Sequence, residues 1–106
     1  MRYEWDLQKD DENFRKHGLR LAEGVPALED SLSEFWTDDR YDYGEERVIT
    51  LGLAPNGILY VVSTELAVDL TRIISVRKAE AYEKEWYYHV PGKELITKQG
   101  FWSILT

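Results

Sequence analysis

The residues of this chain best suited to chemistry on an anion are Arg72, Arg77 and Lys78, the cations flanking the apolar stretch Ile73-Ile74-Ser75-Val76. A guanidinium offers a planar fork of N–H donors that fits two oxygens of a phosphate or carboxylate. Ile73, Ile74 and Val76 are β-branched and nearly contiguous, which suits a strand covered on both faces, so the cations must emerge where the strand does. In an ideal strand Thr71, Ile73, Ser75 and Arg77 point one way, and Arg72, Ile74, Val76 and Lys78 the other. Arg72 and Arg77 can therefore share a site only if the chain bends at one end, as on entering the helix that begins near Ala79. Two readings stay open: solvated strand ends, and an anion site on a rigid scaffold. A second set of candidates is Lys16 and His17, in the last turn of a predicted helix, where the helix dipole favours positive charge. His17 has an ordinary pKa suited to proton transfer near neutrality.

The elements that must position these groups fit one domain spanning the 106 residues, long enough for a single modest core. Apolar and charged fractions are those of a globular chain. No apolar run reaches the length of a membrane span, and Met1-Arg2-Tyr3-Glu4-Trp5-Asp6 is too acidic for a signal peptide, so a cytoplasmic location is expected. With no cysteine and two histidines, His17 and His89, distant in sequence, the chain has no disulfide, no thiolate nucleophile and no common zinc framework; neither metal nor other cofactor is expected. The net charge of -7 argues against non-specific attraction to nucleic acid. It is unevenly spread, with 6 Lys/Arg against 14 Asp/Glu up to Glu46 and 7 against 6 from Arg47 onward. A local cation cluster in the second half can still hold a phosphate, because screening separates charges beyond about 8 to 10 Å.

In chain order, Arg2 to Trp5 reads as a short strand. Asp6 caps a helix over Leu7 to His17 that Gly18 ends, with a thin apolar stripe of Leu7 and Phe14. Leu21, Ala22, Val25 and Leu28 suggest a second, poor helix, bent by Gly24 and Pro26. Glu29 to Glu46 is acidic yet carries Phe35, Trp36, Tyr41 and Tyr43, and reads as a surface loop anchored by aromatics. Arg47 to Leu53 and Ile58 to Thr64 form a hairpin turning at Pro55-Asn56-Gly57, and a looser turn at Leu66 to Asp69 leads to a third strand, Leu70 to Val76. The fold class is α+β, a small antiparallel meander sheet packed against helices. A charged helix follows from Ala79 to Tyr88, with Tyr82 and Trp86 as its inner face, stopped by Pro91-Gly92. The tail from Lys93 holds Leu95, Ile96, Phe101, Trp102, Ile104 and Leu105, and it adds a hairpin, packs as a short helix or waits for a partner.

Several spaced fragments resemble one family. These are Tyr3-x-Trp5-Asp6-x2-Lys9-x3-Asn13-x2-Lys16-His17-Gly18, Leu28-x-Asp30, Glu46-Arg47-x4-Gly52, and Arg72-Ile73-Ile74-Ser75-x-Arg77-Lys78-Ala79-x3-Glu83-x3-Tyr87. Together they resemble the BrnT toxins over residues 2 to 88, leaving 89–106 as a C-terminal extension outside the resemblance. The resemblance implies a RelE-like α+β fold and a ribonuclease that is the toxin half of a toxin-antitoxin pair. Its implied partner is BrnA, a ribbon-helix-helix antitoxin that blocks the toxin and carries it to operator DNA. This chain departs from the pattern at Thr64-Glu65-Leu66, where the family commonly has Thr-Glu-Arg.

RNA cleavage without a metal needs the 2′-hydroxyl activated, the phosphorane charge stabilised and the leaving 5′-oxygen protonated. Arg72 and Arg77 suit charge stabilisation, and Lys78 or Lys16 suits an adjacent phosphate. His17 is the first candidate for proton transfer, with Glu83 and Tyr87 as alternatives from the following helix; Arg47 and Tyr87 complete the expected RNA-contacting set. A catalytically degenerate interaction protein that keeps only antitoxin binding is the alternative, motivated by Leu66 and the acidic first half. A housekeeping RNA-binding module stacking bases on Trp36, Trp86 or Trp102 is a third.

Overall fold

The computed structural model describes residues 1–40, 42 and 44–89, and the elements below lie within them. Strand β1 (Arg2–Glu4) leads into helix α1 (Leu7–His17), a 3-10 turn (Leu21–Gly24) and a short helix α2 (Val25–Glu29). Strands β2 (Glu34–Asp38), β3 (Arg47–Ala54), β4 (Gly57–Ala67) and β5 (Leu70–Lys78) follow, and α3 (Ala81–Tyr87) closes the series. The strands form one five-stranded sheet in the order β1-β5-β4-β3-β2. β2 through β5 pair antiparallel, whereas β1 runs parallel to β5, with Arg2 opposite Leu70 and Glu4 opposite Arg72.

Two sequence expectations are corrected here. The sheet is mixed, not a purely antiparallel meander, because β1 reaches its partner across most of the chain, and strand composition does not encode such a direction. The Glu29–Glu46 segment contains β2, which pairs Trp36 with Ile49 and Asp38 with Arg47. Its alternation was hidden by charge, since Phe35 lies exposed on one face while Trp36 packs on the other. Tyr41, Tyr43 and the expectations for residues 90–106 lie outside the described residues.

The sheet is apolar on both faces because β3 and β4 are nearly continuous hydrophobic runs. One face, with Leu59, Val61, Ile73 and Val76, is covered by Leu19, Leu21, Ala27 and the partly buried Tyr3 and Trp5. The other, with Ile49, Leu51, Ile58, Tyr60 and Val62, is covered by Ala79 and Tyr87. α2 lies so close to β3 that a Cβ on Gly52 would stand 2.0 Å from the Ala27 carbonyl oxygen. Only glycine fits there.

α1 is set by its ends. Asp6 accepts from the Lys9 amide at 3.0 Å, and Gly18, at φ 74°, donates to the Phe14 carbonyl. The expected apolar stripe does not hold the helix down, since Leu7 and Phe14 are exposed and Arg20 lies over the Phe14 ring. The buried residue of α1 is Asn13. Its amide donates to the Val76 carbonyl at 2.9 Å and accepts from the Val76 N–H at 3.0 Å, while also donating to Leu19 at 2.7 Å. Past the short β1, one side chain thus stands in for a missing strand along the β5 edge.

In α3 the inner face is also not the one that aromatic spacing indicated. Tyr82 and Trp86 are half exposed, whereas Glu83 and Tyr87 are buried. Both stripes recur at four-residue spacing, and a charged residue was buried because an arginine waits for it.

Candidate active site

The arrangement of the cations begins with a bulge. Ser63 pairs with Ile73 and Val62 with Ser75, so Ile74 is an extra residue in β5. Ile73 and Val76 therefore belong to the same core layer although three positions apart. Alternation before and after the bulge then puts Arg72 and Arg77 on the same, opposite face, the one carrying Tyr60 and Ile74. Their partners Thr64 and Tyr60 are four residues apart on β4, a separation of roughly 13 Å. The two arginines share a face without converging on one point.

Around Arg72 lies a cleft of about 360 Å³ lined by Glu4, Asp6, Lys9, Glu45, Arg47 and Ile74, among others. Arg72 gives Nε and Nη2 to Glu4 at 3.0 and 2.7 Å, and Arg47 gives Nε to Glu45 at 3.3 Å. Lys9 and Ile74 also line a smaller adjoining groove of about 150 Å³, with Asn13, Lys16, His17 and Ser75. Burial lowers the pKa of His17, and the positive charges of Lys16 and Arg77 lower it further. His17 is therefore mainly neutral at pH 7 and able to accept a proton.

Arg77 sits where the strand meets α3. Its Nη1 and Nη2 each reach a Glu83 oxygen at 2.8 Å, and its guanidinium lies 3.7 Å from the Tyr60 ring centre. The Glu83 side chain is 2% exposed. Burial alone would raise its pKa, but hydrogen bonds from Arg77 and the Glu80 amide outweigh that and leave it lowered. Glu83 is thus held as an anion with both oxygens engaged, a poor proton shuttle.

The remaining candidates do not join the group. Lys78 alternates to the face opposite Arg77. Tyr87 is corrected from ligand contact to core: it is 0% exposed, its hydroxyl donates to Asp30, and burial followed by that contact raises its pKa. Asp30 also accepts from the Leu53 and Leu32 amides, so Tyr87 fastens α3 to β3 and the end of α2.

Sequence reading missed Lys9, Tyr60 and Glu4 as neighbours of the candidates. One signal was available for the bulge, since apolar residues three apart, Ile73 and Val76, break a strand's alternation.

Comparison with known proteins agrees with this architecture. Residues 5–83 match the family described as "Ribonuclease toxin, BrnT, of type II toxin-antitoxin system". The crystal structure of the Brucella abortus ribonuclease toxin, BrnT, is similar in fold, with a TM-score of 0.59 at 23% identity over 76% of this chain and 97% of that one. A comparison with curated proteins gives no match. With three quarters of its length matched by the family model, the chain belongs to the BrnT family of ribonuclease toxins of type II toxin-antitoxin systems.

Proposed function

We propose that this chain is a metal-independent endoribonuclease of RelE-like type, acting in the cytoplasm and neutralised by a BrnA-like ribbon-helix-helix antitoxin. The observation that carries the reading is the β5 bulge, which sets Arg72 and Arg77 on one face beside the groove of Lys16 and His17. In this mechanism neutral His17 takes the proton of a 2′-hydroxyl as that oxygen bonds to the adjacent phosphorus. Negative charge gathering on the phosphorane is met by Arg77, while Arg72, Arg47 and Lys9 hold flanking phosphate in the larger cleft. The P–O5′ bond breaks to leave a 2′,3′-cyclic phosphate, and protonated Lys16, the neighbour of His17, supplies the proton to the departing oxygen.

The test uses purified protein free of antitoxin and an unstructured RNA. Replacing Arg77 or Arg72 by alanine is expected to slow cleavage by about 10²- to 10³-fold. Wild-type cleavage no faster than that of Arg77→Ala overturns the reading.

A second reading is a toxin fold that keeps partner binding alone. Its support is specific: Arg72 is spent on Glu4, and Leu66 stands, 43% exposed, where the family commonly places a cation. Unimpeded growth of a bacterial host expressing the chain without antitoxin favours it. In both readings the antitoxin surface is the aromatic hollow of about 400 Å³ lined by Glu34, Trp36, Trp86 and His89. Trp86 meets Trp36 and Tyr82 edge-on at 6.0 and 5.1 Å there, beside the acidic segment that suits a basic arm. Operator DNA is reached only through the antitoxin.

A further inference from the structure

The way Arg77 is held distinguishes it from Arg72 and Arg40. In Arg72 and Arg40 the edge formed by Nε and Nη2 is occupied by a carboxylate, Glu4 in one case and Asp38 in the other. In Arg77 the carboxylate instead grips the far end, Nη1 and Nη2, and the second Nη1 proton goes to the Lys78 carbonyl at 3.1 Å. What remains is Nε–H and the outer Nη2–H. In a planar guanidinium these two point the same way, the spacing that matches two oxygens of one phosphate.

Among the described residues no group meets that edge. No buried side-chain nitrogen or oxygen among them lacks a hydrogen-bond partner, so the unpartnered Nε lies at the solvent boundary, consistent with a side chain 26% exposed. The guanidinium cannot turn freely. Tyr60 covers one of its faces at 3.7 Å, and Glu83 is itself fixed by the Glu80 amide at 2.8 Å in the capping box that starts α3.

Resting on the ribonuclease reading above, we propose that Glu83 and Tyr60 are positioning residues that present the Nε/Nη2 edge of Arg77 as a two-pronged receptor for the non-bridging oxygens of an RNA phosphodiester. Glu83 then acts through geometry. Its charge partly offsets that of Arg77, yet its grip leaves the fork aimed outward, which a freely rotating arginine would not keep.

The rival account is that Glu83 merely cancels Arg77, and the two make opposite forecasts. Under positioning, Glu83→Gln lowers kcat for RNA cleavage by about tenfold or more with little change in KM, although the protein has lost a negative charge. Under cancellation, cleavage or RNA affinity rises, and that result overturns the proposal. Because Glu83→Gln disturbs the start of α3, a second pair is needed that leaves the charges alone. Tyr60→Leu is expected to lower kcat and Tyr60→Phe to restore it, since the ring face and not the hydroxyl supports Arg77; equal activity of the two overturns the role of Tyr60.

A direct readout is the Nε–Hε NMR resonance of Arg77 in the full chain, titrated with inorganic phosphate. The resonance is expected to shift in wild type and to stay put in Glu83→Gln. If wild type cleaves RNA while its resonance ignores phosphate, the receptor falls and the ribonuclease reading stands. If the resonance responds in a protein that does not cleave, the receptor stands and the ribonuclease reading falls.

Discussion

His17 is the residue whose chemistry is most directly tied to its surroundings. Burial, then the positive charges of Lys16 and Arg77, move its pKa below the ordinary value of 6.5. A base must be unprotonated, so cleavage by this route is level around neutral pH and declines as the solution is acidified past that lowered pKa, losing about tenfold per pH unit there. The pH-rate profile checks this, and His17→Gln should remove the acid limb with a loss of about 10²- to 10⁴-fold in rate. The same shift works on folding in the same direction. The unfolded chain binds this proton more readily, so the contribution of His17 to stability is full above its unfolded pKa and is lost as pH falls from there through the lowered folded pKa. At this scale the sequence was legible where one residue type has one use, as with the cap at Asp6. It misled where the partner decided the use: Glu83 and Tyr87 look like reactive groups until Arg77 and Asp30 are found against them.

Elements were legible when local chemistry fixed them. α1 has both boundaries written in its capping residues, and the β3–β4 hairpin is announced by Pro55-Asn56 between two apolar runs. The direction of β1, the strand inside the acidic segment and the buried stripe of α3 all depend on distant residues, so no local pattern could reveal them. The attachment of α1 is the clearest case, because it rests on Asn13 where apolar packing was expected. Asn13→Ala strips the partner from both the N–H and the carbonyl of Val76 and is expected to cost about 1 to 3 kcal/mol for each group left unsatisfied. Urea unfolding measures the loss. Because α1 carries Lys16 and His17 against the bulge, cleavage should decline in this variant even under conditions where it remains folded.

For the whole molecule, the question is how a chain of net charge -7 meets a polyanion. Lys9, Arg47 and Arg72 line one cleft and Lys16 the adjoining groove, with Glu4, Asp6, Glu12 and Glu45 among them, so attraction is confined to the contact itself. If the four side chains that the proposed mechanism sets on phosphate, Arg77, Arg72, Arg47 and Lys9, each neutralise one charge, the logarithm of the binding constant for single-stranded RNA should fall with the logarithm of salt concentration with a slope of roughly -3. Fluorescence anisotropy with a strand lacking the 2′-hydroxyl at the cleavage position measures it without turnover. A slope of zero or above would mean that the carboxylates dominate and the cations meet no phosphate. None of this was visible in total charge, which counts residues without saying which of them share an edge.

The parallel pairing of β1 with β5 also bears on how the protein comes into being. Glu4 and Arg72 are 68 positions apart and Asn13 and Val76 are 63 apart, so the opening segments lack their sheet partner until β5 has been synthesised. Contacts of such long span form slowly. While the ribosome is still at work, the groups that the proposed mechanism uses remain strung along an unfinished thread. On the proposed mechanism, assembly of the site thus waits for the synthesis of β5, which leaves an interval in which a newly made antitoxin can be waiting.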